Sequence, residues 1–183
     1  MIVSASALGR AHLTGQRWSQ ARTSLEYALT QARQHKLGLE AEASFLAHLA
    51  QTLAGCGELK QAQTTAEEAV KVACQKKTLF WELQARIALA EVLLHRKLKE
   101  EHSQIAAELE RAEDLIKTTG GNVMKPIIMM CRAEFARLKG DDDSHQLLLH
   151  EAHSLFKSMG ADGHAERLEI MLKDKRKVMR TED

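Results

Sequence analysis

Residues that break regular structure are scarce in this chain, which holds one proline and ten glycines among 183 residues. Few positions therefore force the backbone out of a helix, and Ala, Leu, Glu, Gln, Lys and Arg, all good helix formers, dominate the rest. No segment alternates apolar and polar residues as a half-buried strand does. The three cysteines, Cys56, Cys74 and Cys131, are widely spaced and include no C-x-x-C pair. That pattern argues against both a disulfide framework and a thiolate metal site, and it fits a reducing compartment. No apolar run approaches the ~18 residues needed to cross a bilayer, and no charged-then-apolar leader opens the chain. We therefore expect a cytoplasmic protein with no membrane partner. Neither sign of charge is in excess, since 26 basic residues stand against 25 acidic ones. Without a global field to attract nucleic acid, a charged partner has to be met by a local patch.

What the chain does have is repetition. Leu25-Glu26-Tyr27-Ala28, Ala66-Glu67-Glu68-Ala69, Leu109-Glu110-Arg111-Ala112 and Leu149-His150-Glu151-Ala152 share one helical phase, and their alanines are spaced by 41, 43 and 40 residues. A fixed period in this range marks units that cannot bury an apolar face alone and must stack to share a core. The spacing predicts units at about 2–37, 38–77, 78–120 and 121–160, each a helix A, a short turn and a helix B. A final helix at 161–180 would cap the array. In the first unit Leu8, Gly9, Ala11 and Leu13 mark helix A, Gly15 opens the turn, and Trp18, Ala21, Leu25 and Ala28 give the inward face of helix B. Gly57 occupies the second turn, the third turn is longer (96–101), and Gly140 to Ser144 form the fourth. Pro126 suits the first turn of a helix, where no backbone donor is required. Ala165, Leu168 and Met171 or Leu172 would pack the last helix against the array, leaving Lys173, Lys175, Arg176, Lys177 and Arg180 for solvent. The first helix starts with no polar cap, so we expect either a piece of a longer protein or a homodimer that buries this helix.

Leu-Gly in helix A, glycine at the turn and alanines seven apart in helix B resemble the tetratricopeptide repeat (TPR). In the first unit Leu8, Gly9, Ala11, Ala21, Leu25 and Ala28 fall at the family's spacings, with His12 where an aromatic is usual and Gly15 one place early. In the second unit Gly57, Ala62 and Ala69 match and Ala66 replaces the large aromatic, while the third and fourth units are degenerate. The period near 41 exceeds the usual ~34 and resembles the long-repeat arrays of bacterial signalling proteins. Leu149 to Leu168 is similar to the C-terminal repeat region of class III adenylate or guanylate cyclases and related ATPase regulators. Neither the cyclase carboxylates nor a G-x-x-x-x-G-K-[ST] phosphate loop is present.

The resemblance implies an all-α solenoid, a single domain over 1–183, whose groove is lined by outward positions of the A helices. These are Ser6, Arg10 and Leu13, then Ala47, Gln51 and Ala54, then Ile87, Glu91 and Leu94, then Met130, Glu134 and Arg137. We expect Arg10, Gln51, Glu91 and Glu134 to share one groove and to hold a protein or peptide. The candidates for chemistry have plainer explanations. His150 and His153 are three apart, which is not the H-E-x-x-H ligand spacing. In the same stretch, Asp143 or Ser144 would cap a helix. Cys131, Met129 and Met130 read as core filling, and the basic tail has no aromatic residue to stack on bases. The expectation is a non-catalytic interaction or regulatory module with no cofactor, no metal and no nucleic acid. The alternative is a peptide- or ligand-sensing region of a transcriptional or second-messenger regulator.

Overall fold

The computed structural model describes the backbone of residues 1–179 and the side chains of residues 1–170 and 172. Among the described residues the fold is all-helical, with nine α-helices and no strand. They are α1 (Ile2–Thr14), α2 (Trp18–His35), α3 (Glu42–Gly55), α4 (Leu59–Gln75), α5 (Leu79–Arg96), α6 (His102–Thr119), α7 (Lys125–Leu138), α8 (Asp142–Ser158) and α9 (Asp162–Met179). Single 3-10 turns precede α3, α6 and α7; the sequence pattern carried no sign of them. The basic residues expected to face solvent beyond Leu172 lie outside the described side chains.

The chain divides into two compact units, Met1–Gly120 and Gly121–Asp183. In the first, each helix from α1 to α6 packs on the next, and α3 also packs on both α1 and α5. No pairing of comparable extent joins α2 to α4 or α4 to α6 among the described residues. The odd-numbered helices thus form a continuous layer centred on α3. A helix surrounded on all sides has to be apolar all round, and from Glu42 to Ala54 every residue of α3 except Gln51 is buried. The even-numbered helices bury one narrow stripe of small residues: Ala21, Ala28 and Ala32 on α2, and Ala62, Ala66, Ala69 and Ala73 on α4, are fully buried. In the second unit α7 packs on α8 and α8 on α9 around Ala133, Leu149, Ala152, Phe156, Ala165, Leu168 and Leu172. The ring of His145 fastens this pair, its Nδ1 donating to the Ala133 carbonyl at 2.8 Å.

Two glycines are required by close approach. A Cβ on Gly9 would lie 2.6 Å from Cγ of Leu25, and one on Gly55 would lie 2.6 Å from the indole of Trp18. Gly9→Val is therefore expected to destabilise the fold by about 2 kcal/mol through overpacking, measured by urea denaturation. Gly55→Ala should displace the Trp18 ring and change its emission, while an unchanged spectrum would contradict the close contact. At the first turn Gly15 follows the last residue of α1, where the sequence expected the turn to open, but it keeps φ −84 and the left-handed angle falls on Gln16 at φ 54. The turn geometry fixes the position of that angle, so Gln16 adopts it even though glycine would do so at lower cost.

A polar arrangement recurs along the first unit. Glu42 opens α3 and Glu82 lies in the first turn of α5, 40 residues on. Both are buried. Glu42 receives Arg33 of α2 and Lys76, which follows the last residue of α4, each at 2.7 Å. Glu82 receives Arg86 at 2.9 Å and Arg111 of α6 at 3.3 Å, and Arg86 continues to Glu108 of α6 at 2.6 Å. Burial opposes the charge of Glu42, but the hydrogen bonds from Lys76 and Arg33 outweigh it and hold the carboxyl below the ordinary range.

Candidate functional site

The polar side chains of the layer formed by α1, α3 and α5 include exposed Arg10, buried His48, and half-buried Gln51, Gln84 and Glu91. Arg10 is exposed on α1, and with Ala7, Ala11, Leu13, Thr14 and His48 it lines an open cleft of about 350 Å³. His48 is the polar residue in the apolar run from Phe45 to Ala50 of α3, and it is 8% exposed. Its Nδ1 lies 2.7 Å from the Ser44 carbonyl, which can only accept, so Nδ1 carries the proton. Its Nε2 then accepts from the Gln84 amide of α5 at 3.1 Å. Burial, joined by the nearby Arg10 charge, depresses this imidazole to about 4, although the Ser44 hydrogen bond works the other way. The ring is neutral at physiological pH. The other amide atom, Gln84 Oε1, is buried without a hydrogen-bond partner.

One turn along α3, Gln51 donates to Glu91 of α5 at 2.6 Å. Burial raises the Glu91 carboxyl above the ordinary carboxylate range, only partly countered by that bond. Of the residues expected in one groove, Gln51 and Glu91 are joined by this hydrogen bond, and Arg10 and Leu13 line the cleft with His48. Ile87 and Leu94 are 2% and 4% exposed and serve as packing, as do Ser6, Ala47 and Ala54, all buried. Met130, Glu134 and Arg137 lie partly buried on α7 in the second unit. There Arg137 grips Glu134 through two nitrogens at 2.9 and 2.5 Å.

His48 escaped the sequence reading because a lone histidine in an apolar run gives no spacing signal. Glu42 and Glu82 had a signal that could have been used: both stand one repeat apart at the start of a helix A.

The stretch from Asp141 to His153 is organised around capping. Asp141 Oδ1 accepts from the Ser144 backbone N–H at 3.0 Å and caps α8. That corrects the expected cap at Asp143 or Ser144, because the helix begins at Asp142 and places Asp142 and Asp143 in its first turn. The bond from Ser144 also holds the Asp141 carboxyl below its ordinary value. His150 is exposed, His153 is half-buried, and no three metal-ligating side chains come together among the described residues. Cys131 is buried on α7. Cys74 lies 3.8 Å from Arg86, and burial together with Glu82 raises its thiol.

No protein-family model matches the chain, and no curated protein matches it either.

Proposed function

We propose that this chain is a tetratricopeptide-like α-solenoid of four helix pairs closed by α9. In this reading it is a non-catalytic interaction module that takes a peptide or a partner helix on the face formed by α1, α3 and α5. The observation that carries the reading is the recurrence of a buried, doubly paired glutamate 40 residues apart at the start of α3 and α5. A costly buried charge that recurs at the corresponding point of two helices supports stacked copies of one plan, although Glu42 meets cations from α2 and from just beyond α4 whereas Glu82 meets them from α5 and α6. A layer with Arg10, Gln51 and Glu91 beside an apolar floor has the mixture of anchoring and orienting groups that peptide grooves use. In this proposal the module is a regulatory arm of a multidomain signalling protein, a reading supported by the resemblance of Leu149 to Leu168 to cyclase-linked repeat regions.

Panning a random peptide library against the chain tests the reading. Selected peptides should raise the melting temperature, by the equivalent of about 2.7 kcal/mol at a hundredfold excess over Kd. Arg10→Ala with Gln51→Ala should abolish that rise while leaving the fold intact. Peptides whose binding is untouched by both substitutions would place the interaction face elsewhere.

A further inference from the structure

Two features of the cleft between α1 and α3, and a third beside it on α5, carry its chemistry beyond the peptide reading. Arg10 stands exposed at its edge and makes no ion pair with any described residue. His48 lines it with a buried ring whose Nε2 is held by a reversible partner, since an amide can present either end. Gln84 Oε1 is buried with its acceptor capacity unused. If the Gln84 amide turns over, Oε1 takes the place of the amide nitrogen 3.1 Å from Nε2 and accepts from a protonated ring. Nδ1 continues to donate to the Ser44 carbonyl throughout. The protonated state is thus already provided with both of its hydrogen-bond acceptors, and what opposes it is burial and the positive charge of Arg10.

We propose that this cleft is an oxyanion subsite in which Arg10 makes the charged contact and His48 takes up a proton as the anion binds. A carboxylate or other oxyanion beside Arg10 cancels the charge that repels the imidazolium, so anion and proton bind cooperatively. From α1 the charge facing His48 is Arg10. From α5 the ring meets the neutral Gln84, while Glu91 is engaged by Gln51. Arg10 is the one charge acting on the ring among the described residues of all the helices packed on α3. The ligand chemistry this adds to the peptide-binding reading, on which it rests for the identity of the natural ligand, is an acidic group on the bound segment.

Sulfate is a suitable probe because its charge does not change over the range used. It is titrated into the full chain at about pH 5 and about pH 7.5, followed by nuclear magnetic resonance of the backbone and of the histidine rings. Each unit by which the anion raises the His48 pKa makes sulfate about tenfold tighter at pH values below both pKa values. We expect shifts at residues 7–14 and at His48, and binding that tightens from about pH 7.5 to about pH 5, by roughly twofold if the anion raises the His48 pKa by about one unit and by about tenfold if it raises it by about two. Arg10→Ala should lose the binding, and His48→Gln should keep it but lose the pH dependence. The His48 ring titration of the unsubstituted chain gives an independent readout, which sulfate should move upward. Affinity that does not change with pH, a His48 titration indifferent to sulfate, or a pH dependence that survives in His48→Gln would each overturn the proposal. Success here with failure of peptide selection would remove the interaction reading and leave the subsite; the reverse outcome would remove the subsite alone.

Discussion

Leucine in place of Ala28, Ala69, Ala112 or Ala152 is expected to lower stability by about 1–3 kcal/mol at each position. All four alanines are 0% exposed, and they are the closing residues of the recurring four-residue pattern. Each sits where a helix B crosses its neighbours, so three extra carbons have no free volume and must displace a packed helix. The same change at the exposed neighbours Glu68 and Glu151 should stay within about 0.5 kcal/mol. Urea denaturation of the six variants measures both sets. Similar losses at the four alanines follow if the sites are structurally equivalent. A loss at one or two of them with indifference at the others would mean that the sequence period does not correspond to a packing period.

The second large effect is acid sensitivity. His48 titrates at about 4 in the folded chain, against about 6.5 for the unperturbed group. Above about pH 6.5 the ring is neutral in both states and contributes nothing. As the pH falls from there toward 4, the unfolded chain takes up a proton that the folded chain refuses, so stability is lost. The loss amounts to about 3 kcal/mol by the bottom of the window, taking 1.36 kcal/mol per unit. Glu91 acts in the opposite sense: burial raises its carboxyl, so the folded state binds that proton first and gains stability as the pH falls toward 4.5. Glu42, held low, loses its contribution only as the pH falls below about 4.5. Comparing the unsubstituted chain with His48→Gln across this range isolates the histidine. The variant should show a distinctly shallower decline between about pH 6.5 and 4, and parallel curves would show that the ring is not buried as neutral imidazole.

The helices were legible because their signal is local and repeated. Alanine and leucine at helical spacing mark the buried stripes of α2, α4, α6 and α8, and Pro126 and Gly120 mark ends that the structure places where expected. Turn details were less legible. A helix stop is set by a backbone angle, and Gln16, Lys36, Lys77 and Lys97 adopt positive φ without being glycine. The cleft was only half legible. Arg10 and Leu13 lie at outward positions of α1, but His48 belongs to a helix that is buried at almost every position, so its face could not be read from periodicity. Ile87 and Leu94 show the same limit from the other direction. They occupy positions that line a groove when the A helix is open on one side, whereas the packing around α5 closes over them. The seam glutamates Glu42 and Glu82 went unread because a charged residue at the start of a helix is ordinarily a solvated one.

Hydrogen–deuterium exchange of the chain with and without a selected peptide tests the central claim most directly. Occupation of the interaction face predicts slowed exchange in α1, α3 and α5 around Arg10, His48, Gln51 and Glu91, with α2, α4 and α6 unchanged. Protection confined to the even-numbered helices, or to α7, α8 and α9, would contradict it.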